Sequence, residues 1–155
     1  MDISKVLKEM KPDFAALSKI DFSKPQIQKD NKMWLILAGC AVAALIFCFF
    51  PAWLKYDLSF GSDKVYNAFG AWYGVFAFLG VLVAVASVLY GQYKLAFWAG
   101  IFIALMALLG FFLTPDAKEF LAAKAAKADI SRWGAYLTFV AGVGITYFSY
   151  KFVKK

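Results

Sequence analysis

The sequence predicts an all-α integral membrane protein: an antiparallel bundle of four transmembrane helices. Three observations carry this. The 155-residue chain is 63% hydrophobic, with a mean hydropathy of +0.65, against about 45–50% apolar residues in an ordinary soluble domain. Charged residues make up only 17% of it and leave four charge-free stretches, Met33–Leu54, Val65–Tyr93, Leu95–Pro115 and Trp133–Tyr150. Each matches the roughly 17–25 apolar residues that a helix needs to cross a bilayer core of about 30 Å. Finally, "WLILAGCAVAALIFCFF" and "WAGIFIALMALLGFF" have no polar face, which a soluble bundle would need on every helix. Nor do they alternate, as the strands of a membrane barrel must. The predicted spans are 33–54, 65–90, 95–113 and 133–150, forming one transmembrane domain over 33–155 behind a basic tail over 1–32.

In the tail, Ile3, Val6, Leu7 and Met10 recur at helical spacing, and Pro12 ends that helix. Pro12-Asp13 starts a second short helix carrying Phe14, Leu17 and Ile20. Two short basic amphipathic helices suit a membrane surface, with docking on a partner subunit as the alternative. The tail is polar for too long to be a signal peptide, so the first span is expected to remain in place. Pro51 bends or stops that span. Trp34, Trp53, Tyr56, Trp72, Tyr73 and Trp133 are expected in the aromatic belts at the membrane interfaces.

The polar loop Lys55–Lys64, with its Gly61-Ser62-Asp63 turn, leads to the second span. Gly70 and Gly74 fall at the outer end of that span and are expected to permit close contact with the first or fourth. "GQYK" is a tight hairpin that makes the second and third spans antiparallel neighbours. The third span carries Ala96, Gly100 and Ala104, and the fourth Gly134, Thr138, Gly142 and Thr146, each set four apart. Such stripes let helix backbones approach closely in a membrane. Between them, Thr114, Pro115, Asp116 and Glu119 signal the start of an outer helix over 115–128. Asp129 or Ser131 is then expected to cap the fourth span.

Charge sets the orientation. The tail, the hairpin and the C-terminal segment hold eleven Lys, and the two other loops hold six Lys and Arg. Cytoplasmic flanks carry the Lys/Arg excess, so both termini are expected in the cytoplasm of a cell whose inner membrane holds the chain. The net charge of +7 then reflects these flanks and their attraction to anionic lipid, with no nucleic-acid module beside it.

Few residues suggest chemistry. There is no His, and none of the ten Asp and Glu falls within a span, whereas ion and proton carriers usually keep an ionisable group at mid-membrane depth. No phosphate loop, nucleophile elbow or CxxC pair occurs. Cys40 and Cys48 lie about 12 Å apart along one helix and read as packing residues. Ser87 and Ser149 have no base available in the spans and are expected to bond to their own helix backbone or to a neighbour. No catalytic residue, metal ligand or cofactor is predicted.

At "FFPAWLKYDLSFGSDKVYNAFGAWYG" the chain resembles small bacterial tetraspan inner-membrane proteins of unknown function, over about Met33–Leu113. The resemblance implies fold and location and no site residues. The expected role is a non-enzymatic accessory or structural subunit. It would act by helix packing, with membrane lipids and other membrane subunits, or further copies of itself, as partners. An immunity-type protein against a membrane-active toxin, or a small channel or transporter component, are the alternatives.

Overall fold

The computed structural model describes residues 2–49, 54–57, 64–66, 68–113 and 129–155. Two short helices open the chain, each begun by an aspartate. In α1 (Ile3–Glu9), Asp2 accepts from the Ser4 hydroxyl at 2.7 Å and the Ser4 N–H at 3.1 Å. These bonds hold its carboxyl below the ordinary value. In α2 (Phe14–Leu17), Asp13 accepts from the Ala15 and Ala16 N–H groups. Such caps satisfy donors that a helix start leaves unpaired. Ile20 lies beyond α2.

Among the described residues, four long helices follow: α3 (Lys32–Phe49), α4 (Trp72–Leu89), α5 (Tyr93–Phe112) and α6 (Trp133–Lys154). The first three are long and apolar enough to cross a membrane. Each helix packs on two neighbours, giving the cyclic order α3–α4–α5–α6, with α5 against α6 the most extensive contact. Both chain ends and the α4–α5 hairpin share one end of the bundle, hereafter the tail end.

At the opposite end, β1 (Leu54–Asp57) pairs antiparallel with β2 (Lys64–Tyr66) and β3 (Asp129–Ser131), in the order β2-β1-β3. Lys55 lies between Val65 and Ser131. This sheet corrects three boundaries. Leu54 belongs to β1 and not to the first span, consistent with Pro51, which disfavours helix in the residue before it. Val65 and Tyr66 are in a strand, which their branched and aromatic side chains favour, and a 3₁₀ turn at Ala68–Gly70 precedes α4. Asp129 and Ser131 lie in β3, and Arg132 is the residue before α6, with no side-chain cap bond. The outer helix expected over 115–128 lies outside the described residues.

The core is rich in small side chains, packed with larger ones such as Leu37, Ile103 and Ile145. Ala41, Ala44, Ala77, Ala84, Ala96, Ala107 and Ala135 are almost fully buried. Large apolar side chains such as Ile46, Leu79, Leu105 and Val143 point outward and are about half exposed. A soluble bundle has the reverse arrangement, because burying large apolar groups is its main driving force. In a bilayer that drive is absent, and close backbone approach replaces it.

The largest departure from expectation is the tail, which is strapped onto its own bundle. The hairpin ends α4 in a Schellman turn: the Gln92 N–H donates to Ser87 O at 2.7 Å and the Gly91 N–H to Val88 O at 3.4 Å. Gly91 has φ +70°, a conformation that glycine adopts without steric cost. The tail's Gln26 N–H then donates to Leu89 O at 2.7 Å. Tyr90 donates its hydroxyl to Phe22 O at 2.9 Å, and Gln28 Nε2 donates to the Tyr93 hydroxyl at 3.2 Å.

Candidate functional site: the seam between α5 and α6

The two small-residue stripes meet each other. A Cβ built on Gly100 would lie 2.8 Å from Gly142 O and 2.6 Å from the Thr146 hydroxyl. One built on Gly142 would lie 2.8 Å from Ala104 N and 2.9 Å from Gly100 O. Neither position has room for a side chain, so α5 and α6 touch backbone to backbone. Thr146 donates to Gly142 O at 2.9 Å, which leaves its methyl group free to pack. Thr138 donates to Gly134 O at 2.8 Å, with Phe47 O of α3 at 3.5 Å. Ala96, Gly134 and Thr138 are buried, while Ala104 and Thr146 are partly open.

That partial opening is the floor of a groove. Along the outward side of the seam runs an apolar cavity of about 420 Å³. Ile101 and Leu105 of α5 form one wall, and Phe139, Val143 and Tyr147 of α6 form the other. Toward the tail end, α1 closes it with Ile3, Val6 and Leu7. Val6 and Met10 are buried against Phe97, and Trp98 Nε1 donates to Met10 O at 2.9 Å. The amphipathic pattern of α1 is therefore used on this chain's own helices, with Ile3 left 68% exposed beside the groove.

The other predicted packing residues lie elsewhere. Gly70 is exposed. Gly74 is buried, and a Cβ there would collide with the Ala68 backbone of the preceding 3₁₀ turn. Its close contact is thus local, and not with the first or fourth span, because the turn folds back over the first residues of α4. Gly80 is a packing position that the sequence reading passed over. Its Cβ site lies 2.9 Å from the Phe102 ring of α5, and the signal was present in the small residues Ala77, Gly80 and Ala84.

The aromatic residues divide. Trp72 and Trp133 are exposed at the sheet end, as belt residues would be. Trp34 is buried in the core, its Nε1 without a partner among the described residues. Tyr73 is also buried, and its hydroxyl donates to Leu113 O at 3.1 Å, past the end of α5. Arg132 donates to Gly110 O at 3.2 Å and to Phe111 O. A cation and a hydroxyl thus satisfy carbonyls that a helix C-terminus leaves unpaired. Trp53 and the Tyr56 side chain lie outside the described residues.

Ser87 donates to Val83 O at 2.6 Å, and the buried Ser149 hydroxyl has no partner among the described residues. Cys48 is buried and Cys40 partly buried, both as free thiols. No group of three or more His, Cys, Asp or Glu fit to hold a metal ion occurs among the described residues. No family model matches the chain, and no curated protein or solved structure matches it either.

Proposed function

We propose that this protein is a non-enzymatic accessory subunit of a bacterial inner membrane, acting by helix packing within a larger membrane complex. In this reading α6 is the fourth span and both termini are cytoplasmic. The observation that carries it is the groove on the α5–α6 seam. The chain's own glycine stripes are already used in closing its bundle, so they are not spare surface for a partner. The groove is spare: apolar, lipid-facing, floored by Ala104 and Thr146, and closed at one end by α1. A transmembrane helix with small or β-branched side chains fits such a slot, since packing in lipid depends on close contact. Other features support a role without chemistry of its own. The spans carry no acidic residue and the sequence no histidine, which leaves no mid-membrane proton or ion ligand of the usual kind.

The test is photocrosslinking in native membranes from residues placed at Leu105 and Val143. An adduct with one membrane protein, lost when Ala104 or Thr146 is replaced by Phe, is the expected result. Adducts with lipid alone, together with a strictly monomeric mass after gentle extraction, would overturn the reading.

A further inference from the structure

A second groove, at the tail end between α3 and α6, has a different character. It encloses about 1070 Å³. Lys29, Lys32, Lys151 and Lys155 line it, and Asp30 is the one acidic side chain among its described lining residues. Below the lysines lie Ile36 and Phe148. The helical register explains this layering. Lys32 and Ile36 are one turn apart on α3, as are Phe148 and Lys151 on α6, and residues three or four apart share a helix face. Because α3 and α6 run in opposite directions, both lysines sit at the tail end and both apolar side chains sit deeper. Ile36 is 47% exposed, so the deeper level opens toward the surrounding lipid. Lys151 Nζ lies 4.8 Å from the Tyr147 ring centroid, an aromatic contact that leaves its charge uncancelled.

We infer that this groove is a binding site for an anionic phospholipid. The lysines hold the phosphate headgroup, and an acyl chain descends over Ile36 and Phe148. Charge complementarity selects an anion, and the apolar level selects a lipid over a free phosphate, which has no use for that wall. Basic pockets between transmembrane helices on the cytoplasmic side hold headgroups by this chemistry. The site rests on the reading of α6 as a span with its tail end cytoplasmic, but not on a partner in the α5–α6 groove, which other α6 residues line.

The test is native mass measurement on the full chain, extracted in mild detergent and titrated with phosphatidylglycerol, phosphatidylcholine or inorganic phosphate. Phosphatidylglycerol is expected to remain bound at concentrations where phosphatidylcholine does not. The double variant Lys32→Gln/Lys151→Gln should weaken it about thirtyfold, at roughly one headgroup contact per lysine. Lys5→Gln/Lys8→Gln removes the same charge from α1, outside the groove, and should leave binding unchanged. Phe148→Ala should weaken phosphatidylglycerol binding as well. Equal retention of the two lipids, equal loss in both double variants, or displacement of the lipid by millimolar phosphate would each overturn the site. A melting curve on each variant separates lost binding from lost folding.

Discussion

A methyl group added at Gly100 would meet the Thr146 hydroxyl and the Gly142 carbonyl at 2.6 and 2.8 Å, whereas one added at Gly39 meets nothing within 4 Å. The two substitutions separate packing from insertion, because both add the same apolar group to a membrane helix. Gly100→Leu should destabilise the bundle by about 1–3 kcal/mol or more, as overpacking does, and Gly39→Leu should leave its melting temperature in detergent unchanged. Equal behaviour of the two would show that the α5–α6 crossing does not hold the bundle. Gly91→Ala tests the hairpin separately. At φ +70° an L-residue is disfavoured by about 1–2 kcal/mol, and the added Cβ would press on Gln26 Oε1. Thermal unfolding should report at least that loss. At this scale the sequence was partly legible. Period-four glycines pointed to Gly100 and Gly142, because small residues in an apolar helix have few other uses. The same rule misplaced Gly70 and Gly74, since a 3₁₀ turn, and not another helix, covers Gly74.

Among the elements, α1 departs furthest from its sequence signature. Its apolar stripe fitted a bilayer surface, and nothing in residues 1–12 says that Phe97 and Trp98 wait for it nearly ninety positions later. Long-range docking of this kind leaves no local periodicity to read. Its hold is modest, since a neutral hydrogen bond contributes about 0.5–1.5 kcal/mol net. Trp98→Phe removes the donor while keeping an aromatic ring at the position. Hydrogen exchange over residues 3–10 should then speed up several-fold, while exchange within α4 stays as it was. Unchanged exchange in α1 would mean that Val6 and Met10 alone hold the helix. The short strands were hidden for a related reason. Leu54–Asp57 and Lys64–Tyr66 are too brief for alternation to show, and the pairing of Leu54–Asp57 with Asp129–Ser131 joins segments far apart in the chain.

Across the molecule, the long helices and the apolar length of the first three were readable, because charge-free length is a coarse property. Residues 95–113 matched α5 (Tyr93–Phe112) to within two positions at each end. The helix begun at Trp133 continues to Lys154, a turn past its expected limit at Tyr150, and Lys151 and Lys154 in that last turn suit the negative end of a helix. The proposed orientation, with eleven basic residues against six, has a direct check. A cysteine placed at exposed Ser23 should resist a membrane-impermeant thiol reagent in intact cells and react once the inner membrane is permeabilised. Labelling in intact cells would invert the topology.

The belt that ties the tail to Leu89, Tyr90, Tyr93 and Trp98 also fixes an order of events. Chains are synthesised from the N-terminus, so residues 2–28 leave the ribosome before any of their anchors exists. The tail has no docking place while α3 and most of α4 are being made. It is secured only after the hairpin has turned and the first turns of α5 have been made. A fully docked tail therefore records that the nascent chain has reached the first turns of α5, and a chain ending before Trp98 lacks the indole N–H that holds Met10 O.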